Sequence, residues 1–113
     1  MTDINEILPL LERGTASRRI SWDENAEHGV AVLIGNNTIV MDWYQDGSES
    51  YVHYIEIRNA EGQVVERISG QNKDEPAKYV RLSGLHALAY RQAKRVDEIT
   101  IEVIEDLKKI VGR

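Results

Sequence analysis

An acidic side chain and an imidazole come close together in the stretch IVMDWYQDGSESYVHYIEI, residues 39–57. Asp42 precedes a turn signal and His53 follows it, with aromatic residues beside both. A carboxylate that accepts a hydrogen bond from an imidazole fixes the tautomer of the ring and prepares it for acid–base chemistry. The first question is therefore whether Asp42 and His53 can meet in an aromatic pocket.

The answer depends on the number of residues in the turn between two predicted strands. A loop of even length, such as Gly47–Ser48, places Asp42 directly opposite His53. A loop of odd length, such as residues 46–48, places the two side chains on opposite faces, because a shift of one residue turns every side chain over. We favour the odd loop, since only that loop gathers the apolar residues of both strands on one face. These residues are Ile39, Met41, Trp43, Tyr51, His53, Ile55 and Ile57.

The preceding pair of apolar runs predicts another hairpin. Asparagine tolerates a positive φ, so Asn36–Asn37 suits a two-residue type I′ turn. That turn pairs Gly35 with Thr38. Counting outward pairs Ile34 with Ile39, Val32 with Met41 and Val30 with Trp43, all on one face.

The N-terminal region is less regular. Apolar residues at helical spacing predict a helix over residues 3–13, with Asp3 as the N-cap and Gly14 as the stop. Pro9 indicates that this helix begins near the proline or bends there. Residues 17–22 could form a short strand, and the pattern leaves this open.

The C-terminal half begins with strands and ends with helices. Strands are predicted over residues 50–58 and 63–69, with a turn between them that ends at Gly62. Pro76 suits the first turn of a helix, and a second helix is predicted to start near Asp97. Alternating apolar residues in 99–103 also fit a strand, but the longer 3.6-residue pattern favours the helix.

Together these elements predict a single α+β domain over residues 1–113. We expect an antiparallel meander of four to five strands, preceded by a short helix. Two C-terminal helices are expected to follow and to pack on one face of the sheet.

Composition narrows the function. The chain has 113 residues, no cysteine and a formal net charge of −5. Thiolate catalysis and disulfides are therefore excluded, and the acidic balance opposes general binding to nucleic acid. The N-terminus has neither a signal peptide pattern nor a run long enough to cross a membrane, so we expect a cytoplasmic protein that does not bind membranes.

No motif for a nucleophile, phosphate loop, metal site or cofactor is present, so we predict no catalytic residue, no metal and no cofactor. His28 is interpreted as a surface residue without a partner, and His86 as a satisfied residue on the apolar stripe of a helix. The residues that could bind a small ligand on the sheet are Trp43, Tyr51, His53 and Tyr54.

Charged loops and helix ends offer partner-binding residues. Acidic residues in the loop DENAEH could receive a basic partner, and cations near the end of a helix could form a basic patch. These candidates are Asp23, Glu24, Glu27, Arg91, Lys94 and Arg95. In size, charge and class the chain is similar to bacteriocin immunity proteins, phage-encoded inhibitors and secretion chaperones, but no motif carries that likeness.

We therefore expect a small protein-interaction module without catalysis, which binds another protein and could form a homo-oligomer. One alternative is a small-ligand-binding or enzymatic domain that uses the aromatic residues of the sheet. The other is a domain associated with nucleic acid.

Overall fold

The computed structural model of the chain describes residues 4–112, with the side chain of Ile4 left out. A turn of 3-10 helix at Ile4–Glu6 leads into the first α-helix. The elements are α1 (Ile7–Ala16), β1 (Asp23–Asn25), β2 (Gly29–Ile34), β3 (Asn37–Gln45), β4 (Tyr51–Arg58), β5 (Val64–Gln71), α2 (Pro76–Ala93) and α3 (Val96–Val111). The strands form one antiparallel sheet in chain order, so the predicted α+β fold is confirmed.

The core lies between one face of this sheet and the helices α1 and α2. Alternation along each strand sends every second side chain to that face. Helix α2 packs against β2, β4 and β5 and also contacts α1 and α3. The buried residues that join in this core are Leu8, Leu11, Trp22, Val30, Val32, Ile39, Met41, Ile55, Ile68, Leu82, Leu85 and Ala89. No helix within residues 4–112 is long and apolar enough to cross a bilayer.

The hairpin of β3 and β4 has an odd loop. Gln45 pairs with Tyr51, so the loop is residues 46–50, and it is closed by a 2.7 Å hydrogen bond from the Asp46 N–H to the Ser50 carbonyl. Trp43 therefore lies opposite His53. The prediction that Asp42 and His53 are on opposite faces is confirmed, although the loop is longer than the three residues given as the example.

In the hairpin of β2 and β3, the side chains lie on the predicted faces, but the pairing register differs from the predicted one. Ile34 pairs with Asn37 and Val32 with Ile39, so each residue of β2 pairs two positions earlier in β3 than predicted. The turn residues are Gly35 and Asn36 rather than two asparagines. Gly35 has a φ of 64°, and a glycine at the first central position is typical of a type II′ turn. The predicted type I′ turn is wrong, because that turn requires a positive φ at both central residues and Asn36 has none.

Gly14 does not end α1, contrary to the prediction. The helix continues to Ala16, and Pro9 lies in its first turn, where a missing N–H costs nothing. Gly14 is instead a contact point, because an added Cβ there would overlap the side chain of Ile20. The predicted N-cap, Asp3, lies outside the described residues.

Residues 17–22 are not a strand, and β1 begins after them at Asp23. This segment instead brings Trp22 into the core, where only 4% of the residue is exposed. The indole N–H of Trp22 donates to the Thr15 hydroxyl at 2.9 Å, so the one polar atom of the ring is satisfied inside the core.

The second face of the sheet carries polar and aromatic side chains. Glu56 is only 6% exposed, and its carboxylate accepts hydrogen bonds from Arg58 at 2.9 Å and Arg67 at 2.7 Å. The guanidinium of Arg67 also lies 4.3 Å from the ring centre of Tyr54, and the ring of Tyr54 lies 5.9 Å from that of Tyr44. Buried charge on this face is therefore paired and hydrogen-bonded, as burial requires.

Candidate functional site

The three histidines of the chain come together at one cavity between the sheet and α2. It has a volume of about 350 Å³. Strand β3 supplies Trp43, β4 supplies His53, and the residue before β2 is His28. The complete lining is His28, Trp43, His53, Ser83, His86, Ala87 and Tyr90. We refer to this space as the histidine cavity.

Asp42 does have a histidine partner, and that partner is His28. The Asp42 Oδ1 lies 2.6 Å from His28 Nδ1 and also accepts the backbone N–H of Trp43 at 2.8 Å. The ring of His28 stacks on that of Trp43, with the centroids 4.4 Å apart. The interpretation of His28 as a surface residue without a partner is therefore wrong.

Gly29 makes this pair possible. The residue lies beside Asp42 at the start of β2, and an added Cβ would come within 2.7 Å of Asp42 Oδ2 and of the Asn25 carbonyl oxygen. The missing side chain lets the carboxylate reach His28. The sequence contained the glycine but gave no signal that its neighbour across the sheet would be Asp42, because the predicted register of β2 and β3 was wrong by two residues.

His86 ties α2 to the start of β2. The residue is only 6% exposed, and its Nε2–H donates to the His28 carbonyl at 2.7 Å. Burial lowers the pKa of His86 and outweighs the opposing effect of this hydrogen bond. The prediction of a satisfied histidine on the helix stripe agrees with this geometry, but its backbone partner could not be foreseen from the sequence.

His53 lies between two rings of α2. Its ring centre is 5.1 Å from that of Tyr79 and 5.3 Å from that of His86, both in edge-to-face geometry. Burial, and next the nearby His86, lower the pKa of His53 to about 4. The ring is therefore neutral at pH 7, and its Nδ1 is buried without a hydrogen-bond partner.

The four predicted ligand-binding residues divide between the two faces. Trp43 and His53 line the histidine cavity. Tyr51 contacts the edge of Trp43, with the ring centres 6.0 Å apart. Tyr54 lies on the opposite face and pairs with Asp42 and Ser69, so it takes no part in this site.

The cavity offers aromatic surface and imidazole nitrogens. Because a carboxylate only accepts, the proton of its short contact with His28 is on Nδ1, which leaves Nε2 of a neutral ring as an acceptor. Ser83 is not aligned as a nucleophile, since its Oγ donates to the Val80 carbonyl at 3.1 Å. Within the described residues, no group of three or more His, Asp or Glu side chains could hold a metal ion.

The predicted charged patches partly neutralise one another. Lys94 lies 2.5 Å from Glu24, and Arg91 lies 2.7 Å from Asp97. Arg95 links α2 to α3 and has a φ of 56°. Asp23 and Glu27 are exposed. The six predicted partner-binding residues therefore do not form two separate patches, because Glu24 and Lys94 come from opposite sets and meet.

Helix α3 presents a second candidate surface. The helix contains no buried residue, although it carries a strong amphipathic pattern. Its exposed large apolar residues are Ile99, Ile101, Val103, Ile104, Leu107, Ile110 and Val111. The sequence correctly predicted the helix in place of a strand, but its apolar stripe is not covered by this chain.

No protein-family model, no curated protein and no solved structure matches the chain.

Proposed function

We propose that this chain is a small non-catalytic protein-interaction module, of the inhibitor, immunity or adaptor type, and that α3 is its docking element. The observation that carries the proposal is a sixteen-residue amphipathic helix without one buried residue. Exposed apolar area of this extent is costly for a protein unless a partner covers it. A location in the cytoplasm fits this proposal, since the cysteine-free chain needs no oxidising compartment.

The exposed apolar residues are arranged for docking into a groove. Successive residues of a helix are turned by about 100°, so Val103, Leu107 and Ile110 fall on one stripe. Ile99 extends the stripe toward the N-terminus of α3, and Ile104 and Val111 widen it. Residues at these spacings are the anchors that an amphipathic helix inserts into an apolar groove. Ile101 falls on the opposite side.

The overall shape supports a projecting helix. The radius of gyration is 16.8 Å and the longest dimension is 62 Å, whereas a compact chain of this length has a radius of gyration of about 13 Å. The main contacts of α3 are with α2, next to it in sequence. Asp97, in its first turn, is held by Arg91 and Arg18. The helix is thus fixed at its base, and the remainder is available to a partner.

Charge indicates the chemistry of that partner. The helix carries five acidic residues, Asp97, Glu98, Glu102, Glu105 and Asp106, against two lysines, Lys108 and Lys109. We infer a partner whose apolar groove has a basic rim, because complementary charge speeds encounter and excludes wrong partners. A second copy in parallel register would instead align the acidic residues with one another.

Substitution of the stripe tests this proposal. We expect Val103→Asp combined with Leu107→Asp to abolish partner capture in cross-linking experiments in the native host. Ile101→Asp is the matched control for Leu107→Asp alone, since each adds one negative charge at a similarly exposed position, on opposite sides of α3. Binding to the captured partner, once purified, should weaken as salt is raised.

Sedimentation of the purified chain shows whether the partner of α3 is a different protein or a second copy of this chain. If the chain is a monomer and one captured protein is lost only with the stripe variant, the proposal is supported. If the chain forms a stable dimer that the stripe variant dissociates, the partner is a second copy and the inferred basic groove is wrong. If the stripe variant and the Ile101→Asp control behave alike, α3 is not the docking element.

A further inference from the structure

The histidine cavity is an open space lined by aromatic and imidazole rings, which the proposed docking through α3 does not use. We propose that it binds an uncharged, planar heteroaromatic molecule that carries N–H donors, of the nucleobase type. The proposal is independent of α3, because the residues that line the cavity belong to the sheet and to α2.

The walls of the cavity favour a flat aromatic ring. Trp43 and His28 form a stacked pair at 4.4 Å, and the rings of His53, His86 and Tyr90 complete the lining. His86 and Tyr90 lie edge-to-face at 6.1 Å. Stacking and edge-to-face contacts with such rings stabilise a bound base and tolerate different base identities. The volume of about 350 Å³ is at the small end of the range for ligand sites.

The polar atoms of the lining favour a ligand that donates hydrogen bonds. The bond to the His28 carbonyl leaves Nδ1 of the neutral His86 ring as an acceptor, and the contact of His28 Nδ1 with Asp42 makes His28 Nε2 an acceptor when that ring is neutral. His53 Nδ1 is buried without a partner. This atom has almost no accessible surface, so the recognition of a donor rests on the nitrogens of the other two histidines.

The charges around the cavity favour an uncharged ligand. The lining contains neither lysine nor arginine. Lys94 lies 5.5 Å from the Tyr90 ring centre but is paired with Glu24, and Asp42 is engaged by His28 and the backbone of Trp43. An anion therefore finds no free cation among the lining residues, and a cation finds no free carboxylate there. The net charge of −5 further opposes a polynucleotide.

Ligand titration of the intact chain by NMR tests the proposal. Adenine carries N–H donors, while caffeine has the same purine skeleton with its ring N–H groups methylated. We expect adenine to shift the ring signals of His28, His53 and His86, and to bind at least about tenfold more tightly than caffeine, which is the effect of about 1.4 kcal/mol. This readout uses the unmodified protein and does not depend on the folding of a variant.

Adjacent residues of β3 provide matched variants. Trp43→Leu should weaken adenine binding by about tenfold or more, since it removes a stacking surface worth about 1–3 kcal/mol. Tyr44→Leu changes the neighbouring aromatic residue on the other face of the sheet, and should leave the affinity within about twofold, well under 1 kcal/mol.

Several results would overturn the proposal. One is that caffeine shifts the same signals as strongly as adenine at the same concentration, which would mean that the N–H donors are not recognised. Another is the absence of shifts up to the solubility limit of adenine. A third is that single-stranded oligonucleotides bind more tightly than adenine with a strong salt dependence, which would indicate a nucleic-acid surface instead.

Discussion

Gly29 determines whether the Asp42 carboxylate can reach His28. We expect Gly29→Ala to displace that carboxylate, because the new methyl group would lie 2.7 Å from Asp42 Oδ2 and from the Asn25 carbonyl oxygen. Crowding of this kind costs about 1–3 kcal/mol of the free energy of unfolding. Urea unfolding measures the loss, and the His28 ring signals report the broken contact.

Gly84 gives the control for that substitution. Nothing lies within 4 Å of an added Cβ at Gly84, which is in the middle of α2. Gly84→Ala should therefore raise the free energy of unfolding by up to about 1 kcal/mol through helix propensity. Equal effects of the two alanines would contradict the proposed role of Gly29.

Glu56 is expected to make stability sensitive to acid. Burial alone would raise the pKa of this carboxyl, but hydrogen bonds from Arg67 and Arg58 outweigh burial and lower it below its ordinary 4.5. A lowered pKa means that the stabilisation is present above pH 4.5 and is lost as the pH falls through the value of the folded state. Glu56→Gln should cost about 1–3 kcal/mol at pH 7.

Chemical denaturation at a series of pH values checks this expectation. The wild-type chain should lose stability below pH 4.5 more steeply than Glu56→Gln. Identical slopes for the two chains would show that the ion pairs of Glu56 contribute nothing to acid sensitivity.

Single residues were the hardest part to predict from the sequence. The alternation of apolar residues correctly placed Asp42 and His53 on opposite faces. The partner of Asp42 could not be predicted, since His28 reaches it only at the start of β2, beside Gly29, in a register that differs by two residues from the predicted one. Side-chain pairing depends on such details, whereas the choice of face depends only on whether the loop is odd or even.

At the scale of elements, α3 should contribute little to the stability of the domain. It has no buried residue, so a chain ended after Glu98 keeps Asp97 and its ion-pair partners and loses only exposed residues of α3. We expect the free energy of unfolding to change by less than about 1 kcal/mol. Urea unfolding followed by tryptophan fluorescence measures it, because Trp22 and Trp43 lie outside α3.

Leu82→Ala provides the contrast within α2. Leu82 is 1% exposed, and removal of a buried leucine side chain costs about 2–5 kcal/mol. A truncation as costly as this substitution would show that α3 is part of the folding core rather than a projecting helix.

Periodicity predicted which segments are helices and strands but not what covers them. The helical stripe of α3 looked like a core-facing pattern in the sequence, and a stripe made for a partner has the same spacing as one made for the core. Residues 17–22 show the opposite case. Their pattern suggested a strand, but the segment is not a strand, and its Trp22 is buried in the core. Burial is a property of the assembled elements, so no single segment encodes it.

At the scale of the whole molecule, the histidine cavity couples folding to pH between 6.5 and 4. His53 has its pKa lowered from 6.5 to about 4 by burial and by His86, while the unfolded chain keeps the ordinary value. Between these two pH values the unfolded chain binds a proton at His53 that the folded chain does not bind. The free energy of unfolding therefore falls as the pH is lowered through this window. Because the ring is only half-buried, solvent screening limits the loss to the order of 1–2 kcal/mol.

His53→Phe should remove that dependence while preserving the ring contacts with Tyr79 and His86. It also deletes the unpartnered Nδ1, so we expect its free energy of unfolding at pH 7 to stay within about 1 kcal/mol of the wild type. Denaturation curves between pH 7 and pH 4 should then show a smaller slope for the variant, and the His53 ring signal of the wild type should titrate near pH 4. A midpoint near 6.5 for His53, or equal slopes for both chains, would mean that the cavity is open enough to water to hydrate the charged ring. The same result would weaken the case for an uncharged ligand, since a charged imidazole would then border the site.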